Sequence, residues 1–457
     1  MTVPRERVLS GLMLGLASGA ILVPLNSTML AVALPDVMGE FRLGASEVST
    51  LVSLYLGTVA IVVPIAGTLS DRYGARPTFL AGVVGFGAAS LVAAVTSSFA
   101  VLELARVLQA AAGALVSTSS TVLLREAAPE SRRGEAFGVF DLLVSISAAA
   151  GPFVGGLIVA WFGWRAIFLL AAPIAVVAAL LVGVVLRGSA APGARAATAT
   201  RSVDLPGLAL LAAAIAAFLL GIQGAGGAVP ERVGWLAAMA ALLAAFVLFE
   251  LRQDDPAIDP RLFARRAFAA ATVGVFGTTV VLHGCFVLVP LAVELVLQQP
   301  ATSSGIVLLT ISAVWAVAAP FGGRASDRRG RRAVAVVGSA ICALALAVLA
   351  VPGVPDSVIV VGALLGVVGL GMGLSGSPRQ TAALESVDVQ RLGMASGTYY
   401  TGRYLGGAVG AGLMGALLGG TVTAGGVSMG FGFLALAAVG VAIASVGLPG
   451  RLRTAVT

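Results

Sequence analysis

The chain has 457 residues, 58% of them hydrophobic and only 11% charged, with a formal net charge of +7. A soluble domain carries about 25% charged residues, so this composition excludes disordered, collagenous and disulfide-scaffold chains and an ordinary soluble enzyme. All 28 basic residues are arginine, and none gathers on a soluble basic face of the kind nucleic acid requires; a polytopic membrane protein with no nucleic-acid partner is expected.

Fourteen runs approach the ~20 apolar residues that a membrane-crossing helix needs. They cover 8–34, 47–67, 78–95, 101–124, 136–159, 166–186, 205–221, 233–251, 268–293, 305–321, 333–351, 358–374, 394–418 and 429–448. None alternates with period two, so helices are predicted rather than barrel strands. Arg5 and Arg7 precede the first run as in a signal peptide, but its apolar core is far longer than the about 7–15 residues of a signal segment, and a retained first helix is expected. With the N-terminus in the cytoplasm, 23 of the 28 arginines fall on the cytoplasmic side. Arg42, Arg165 and Arg232 fall on the other side, and Arg106 and Arg403 lie within helices. This asymmetry predicts an even number of spans with both termini cytoplasmic.

Two loops share the pattern G-x-x-x-D-R-x-G-x-R, 256 residues apart. The first carries Gly67, Asp71, Arg72, Gly74 and Arg76; the second carries Gly323, Asp327, Arg328, Gly330 and Arg332. Each follows the second span of a half. A six-helix half needs roughly 190–200 residues, and the surplus matches one extra hairpin at about 205–251. The predicted fold is therefore all-α, with 14 transmembrane helices arranged 6 + 2 + 6. An N-terminal half spans 1–187, linkers and the hairpin span 188–266, and a C-terminal half spans 267–457. The glycines allow tight turns, and the aspartates are expected to meet helix N-terminal amides or arginines, a network able to hold helices in one state and release them in another.

The chemistry-bearing inventory is sparse. Cys285 and Cys342 lie in apolar runs without metal-ligand spacing, and His283 is the only histidine, so no metal site and no catalytic triad is expected. There is no lysine and hence no Walker-type nucleotide loop. No cofactor is expected. The short glycine patterns at 371–376 and 426–430 match a dinucleotide fingerprint and a nucleophile elbow only as strings, since no strand precedes either.

Several segments resemble the major facilitator superfamily, and more narrowly its 14-helix drug:proton antiporter branch, over nearly the whole chain. The loop 67–76 is similar to the superfamily's signature between its second and third helices. Leu102 to Gln109, with Arg106 at its centre and Gly113 beyond, is similar to its fourth-helix motif. Gly151, Pro152, Gly155 and Gly156 resemble the antiporter motif of the fifth helix. Trp164-Arg165-Ala166-Ile167-Phe168 resembles the start of the sixth, and 393–397 with 403–407 resembles the eleventh helix of the family's 12-helix count. One departure stands out. The family's first helix carries Leu-Asp-x-Thr, and this chain has Leu25-Asn26-Ser27-Thr28. An amide does not titrate, so Asn26 cannot carry a proton but can bind substrate or a neighbouring helix.

A charge in the bilayer interior costs at least ~2.5–3.5 kcal/mol on insertion scales and needs a reason. Asp141 is the first candidate, as a titrating group or as the partner of a cationic substrate group. The resemblance implies a role for Arg106 in proton transfer or in organising the cavity. Arg403 is expected either to line the cavity or to join helices, and His283 either to titrate or to serve as a hydrogen-bonded bundle residue. Glu294 is expected to snorkel at the outer interface. Gly151 and Gly155, and likewise Gly402, Gly406 and Gly410, stand four apart as close-approach stripes, from which a seam between the fifth and thirteenth helices is expected.

The resemblance implies a secondary transporter of the cytoplasmic membrane, monomeric and embedded in lipid. It would export lipophilic small molecules such as antibiotics by alternating access with proton antiport. Transport of a metabolite or lipid with different coupling is the alternative. A scaffold or sensor would call for a soluble signalling domain, and an enzyme for a richer catalytic inventory.

Overall fold

The computed structural model describes residues 5–128, 133–185, 204–223, 229–253, 256, 258–388 and 392–450. The linker residues 188–203 lie outside them, with Arg132, Arg187, Arg195, Arg201, Arg391, Arg451 and Arg453, as does the side chain of Asp141. Among the described residues the secondary structure is entirely helical, because a backbone in lipid must satisfy its own hydrogen bonds.

Fourteen long helices follow in order: α1 (Arg5–Phe41), α2 (Thr50–Tyr73), α3 (Ala75–Val95), α4 (Phe99–Ala127), α5 (Arg133–Phe162), α6 (Arg165–Val185), α7 (Leu205–Gln223), α8 (Val229–Glu250), α9 (Arg266–Leu291), α10 (Ala301–Arg329), α11 (Arg331–Leu349), α12 (Val358–Glu385), α13 (Leu392–Leu418) and α14 (Ala424–Ser445). A one-turn helix, Ala45–Val48, leads into α2. Each apolar run of the sequence falls on one long helix. Twelve of the helices have the length and apolarity to cross a membrane, and α7 is a shorter apolar helix over 206–221.

The packing repeats. Helix α1 packs on α5 and α6, and α9 packs on α13 and α14; α3–α4, α2–α4 and α3–α6 recur as α11–α12, α10–α12 and α11–α14. Every pair has its counterpart eight helices later. The contacts between the two sets follow the same symmetry: α5 meets α10, α13 meets α2, and α1 meets α9. The repeat extends to single residues. Pro64 bends α2 where Pro320 bends α10. Gly74 (φ 92°, ψ 148°) and Gly330 (φ 88°, ψ 150°) make the same turn after them. The hairpin α7–α8 sits outside the two sets, with α7 against α2 and α13. Ile215 lies at the position a Cβ on Gly57 would press on.

The apolar cores are distributed unequally between the two faces. On the face opposite the Gly74 and Gly330 turns, one core joins both sets of helices, from Met29, Leu34 and Leu51 to Val289, Leu308 and Phe431. On the face that carries those turns there are two separate cores. One, with Leu16, Phe79, Phe86 and Val182, belongs to α1–α6; the other, with Phe268, Ala335, Ala382 and Tyr399, belongs to the second set. The bundle is thus fused at one face and split at the other.

Candidate functional site

The first set encloses a buried guanidinium. Arg106 on α4 is 1% exposed. Its Nη1 donates to Asn26 Oδ1 of α1 at 2.8 Å and to Gln109 Oε1, and its Nε donates to the Leu51 carbonyl at 3.4 Å. Gln109 passes the network on to Ser90 Oγ at 2.7 Å. The guanidinium lies over the Tyr55 ring of α2, 4.2 Å from its centroid, with Phe168 of α6 at 6.0 Å. Each of these hydrogen-bond partners is neutral. Asn26, where the resemblance leads one to expect a carboxylate, supplies an amide oxygen to the arginine. Glu103, one turn along α4, hydrogen-bonds Thr50.

In the second set, Arg403 of α13 has an exposed side chain. Gly407, one turn on and on the same face, is pressed between Leu56 of α2 and His283 of α9: a Cβ there would lie 2.9 Å and 2.8 Å from them. At Gly407, α13 therefore packs against α2 of the first set and α9 of its own. His283 Nδ1 sits 3.1 Å from the Thr279 carbonyl and its ring meets Phe286 edge-on at 5.7 Å. The structure thus brings Asn26 and Arg106 together inside the first set, and places Arg403 and His283 on the neighbouring helices α13 and α9 of the second.

The repeated loops link helices within each set near their ends. Arg76 donates to the Gly183 carbonyl at the end of α6 at 3.2 Å, and its counterpart Arg332 donates to the Leu448 carbonyl beyond α14 at 2.9 Å. In each set the arginine after the turn supports the last helix where its carbonyls lack partners. Asp71, Arg72, Asp327 and Arg328 are exposed, and the guanidinium of Arg72 lies over the ring of Tyr73. The backbone at Gly74 and Gly330 falls in a region open essentially to glycine alone, so Gly74→Ala and Gly330→Ala are each expected to destabilise by about 1–3 kcal/mol. Thermal unfolding in detergent measures this; an unchanged Tm for both would contradict the strain.

The glycine stripes act differently from the expected seam. A Cβ on Gly151 would press on Thr28, and one on Gly155 would lie 2.9 Å from the Met29 backbone, so both serve the α1–α5 contact. Gly402, Gly406 and Gly410 bring α13 onto α9 in the same way, at Thr272, Phe276 and Val280. Helices α5 and α13 each close on a different partner of the opposite set. At the α5–α10 crossing a Cβ on Gly156 would lie 2.7 Å from the Ala301 carbonyl, and one on Gly305 would lie 2.6 Å from that of Pro152. At the α2–α13 crossing Gly415 abuts Ser49. Pairing by small residues predicts close approach but does not name the partner.

Two further residues differ from the sequence reading. Arg379, assigned by hydropathy to a cytoplasmic segment, is 1% exposed inside α12. Its guanidinium meets Thr278 Oγ1 at 2.7 Å, Ser339 Oγ, and Ser445 Oγ at 3.4 Å, and its stem lies over Gly274. Each of these hydroxyls donates its proton to its own helix, so its lone pairs face the arginine. Glu294 lies in a π-helical turn after α9 with a buried carboxylate oxygen that lacks a hydrogen-bond partner, so it is packed rather than snorkelling.

Two sets of six helices that repeat the same packing form the architecture of a transporter built from parallel repeats. The chain belongs to the Major Facilitator Superfamily, whose profile matches residues 16–411. It is 33% identical over 337 residues to the "Tetracenomycin C resistance and export protein" of Streptomyces glaucescens, covering 73% of this chain and 62% of that relative. It is 31% identical over 385 residues to a "Multidrug resistance protein B homolog" of Mycobacterium tuberculosis, covering 82% and 70% of the two chains. In fold it is similar to the crystal structure of a peptide transporter, POT, in complex with sulfate, with TM-score 0.72, 15% identity and coverage of 97% and 98%. The chain is a multi-pass membrane transporter of this superfamily and not an enzyme.

Proposed function

We propose that this chain exports lipophilic small molecules from the cytoplasm by alternating access, driven by proton antiport. The single observation that supports this reading best is the unequal core: one apolar core shared across the sets at one face and two separate cores at the other. A transporter caught open to one side has this form. In the same reading all fourteen helices span the cytoplasmic membrane as 6 + 2 + 6. Residues 1–187 and 267–457 are the halves, the hairpin lies between them, and both termini are cytoplasmic. The split face is then the cytoplasmic one, since it carries the Arg72–Arg76 and Arg328–Arg332 turns.

Because Asn26 does not titrate, Asp141 takes the place of the coupling carboxylate in this proposal. Asp141→Asn is expected to abolish gradient-driven uptake while the protein still inserts; full coupled transport by that variant would remove Asp141 from the mechanism. The reading as a whole is tested in proteoliposomes with an imposed pH gradient and a panel of lipophilic compounds. Compound movement with opposed proton movement is expected. Movement indifferent to the gradient would replace antiport with another coupling, and no movement of any compound would overturn export.

A further inference from the structure

The second set buries a charge at a place where the first set has none. The repeat pairs Gly82 with Gly338: a Cβ on Gly82 would lie 2.9 Å from Val116 of α4, and one on Gly338 would lie 3.0 Å from Ser375 of α12. Ser375 thus stands where Val116 stands, Ser339 where Val83 does, and Arg379, one turn further on, where Ser120 does. In the first set Val83 and Val116 belong to an apolar core, and Ser120 donates to the Val116 carbonyl of its own helix at 2.7 Å. The same packing therefore forms without a guanidinium, and burying one is costly unless its charge and its donors are compensated.

Around Arg379 the compensation is incomplete. A guanidinium carries five N–H donors. Three of them go to Thr278, Ser339 and Ser445, each a neutral hydroxyl, and no acceptor among the described residues takes the other two. The sequences of the four helices around the group, α9, α11, α12 and α14, contain a single carboxylate, Glu385, which is paired with Arg331. Asp141 belongs elsewhere, since α5 packs on α1 and α10. Against the guanidinium lies a cavity of about 10 Å³, lined also by Cys342, Ser375, Met372, Val281 and Val441. It has room for one water-sized occupant. That occupant must accept N–H groups. A water would also need acceptors for its own protons, and the Thr278 and Ser339 hydroxyls already accept from Arg379. An anion needs donors only, and it supplies the missing charge. The size leaves no place for phosphate or a carboxylate ligand.

We propose that this cavity binds a single halide ion, chloride under cellular conditions, held by the two remaining N–H groups of Arg379. The ion completes the second helix set, and the first set, apolar at the matching place, has no such site. The site lies inside one set, so it stands apart from the proposed export and holds whether or not that reading does.

The test is thermal unfolding of the purified full chain in detergent, titrated from sodium gluconate into sodium chloride or sodium bromide at constant ionic strength. Gluconate is too large for the cavity. The wild type is expected to gain at least about 2 °C in Tm, saturably and with either halide, as for a ligand that binds only the folded state. Ser375→Val fills the cavity with the side chain that the first set carries at the matching position, Val116, so it should fold and lose the halide response. Arg379→Gln should lose it as well. Equilibrium dialysis of the wild type against radiolabelled chloride should retain one ion per chain, displaced by bromide. A wild-type Tm indifferent to halide, with no ion retained, overturns the proposal in favour of a bound water. An equal Tm rise in Ser375→Val overturns it in favour of a general salt effect. Should Arg379→Gln fail to fold, Ser375→Val and the wild-type dialysis decide.

Discussion

Gly156→Leu is expected to stop transport and to pry the two helix sets apart at their fused face. At the α5–α10 crossing the backbones touch reciprocally: a Cβ on Gly156 would lie 2.7 Å from the Ala301 carbonyl, and Gly305 meets the Pro152 carbonyl just as closely. The obstacle is backbone on both sides, so no rotamer change relieves it. Overpacking of this kind costs about 1–3 kcal/mol, and transporter states are separated by only a few kcal/mol, so the closed crossing should lose most of its population. Labelling reports it directly. Ser304 is fully buried beside this crossing, and Ser304→Cys in a chain without Cys285 and Cys342 should react slowly with a membrane-impermeant maleimide. Adding Gly156→Leu should raise that rate by about tenfold, in line with a 1.4 kcal/mol shift in the closed population. Equal labelling with normal transport would show that this crossing does not gate access.

Arg106→Lys is expected to cost at least about tenfold in transport even though the charge is kept. The guanidinium serves Asn26, Gln109 and the Leu51 carbonyl at once and lies flat on Tyr55. A lysine ammonium is a compact point charge and reproduces neither the fork nor the stack. Arg106→Ala removes the donors altogether and leaves the oxygens of Asn26 and Gln109 unpaired in a dry interior, at about 1–3 kcal/mol each. Loss of the buried charge offsets part of this, so the alanine variant should unfold at a lower temperature by a few degrees while losing transport more completely than the lysine variant. Transport rates and detergent Tm values for the two variants separate geometry from charge. Wild-type rates in Arg106→Lys would show that only the charge matters.

Much of the helical layout was legible because lipid leaves a chain little choice. Each apolar run had to become a helix, and each of the fourteen falls on one. The repeated loops were legible because their glycines stand at backbone angles that few other residues adopt, and Gly74 and Gly330 do share that geometry. Helix partners were less legible. Gly151, Gly155 and the Gly402–Gly410 stripe announce close approach, but the choice of α1 and α9 as their partners depends on the whole three-dimensional arrangement. Arg379 escapes hydropathy because the apolar run ends at Leu374, whereas α12 continues through Pro378 to Glu385. The available signal was the hydroxyls: Thr278, Ser339 and Ser445 stand in apolar helices and converge on that guanidinium.

The hairpin also makes the two crossings unequal as seen from the bilayer. Helix α7 lies along both α2 and α13, with Leu211 and Ile215 packed near Leu405. Among the described residues, no corresponding helix from outside the two sets lies along α5 and α10. A hydrophobic solute dissolved among the acyl chains and moving sideways towards the centre therefore meets a double wall on one flank and a single wall on the other. The added hairpin thus gives an otherwise twofold-symmetric bundle one sheltered side.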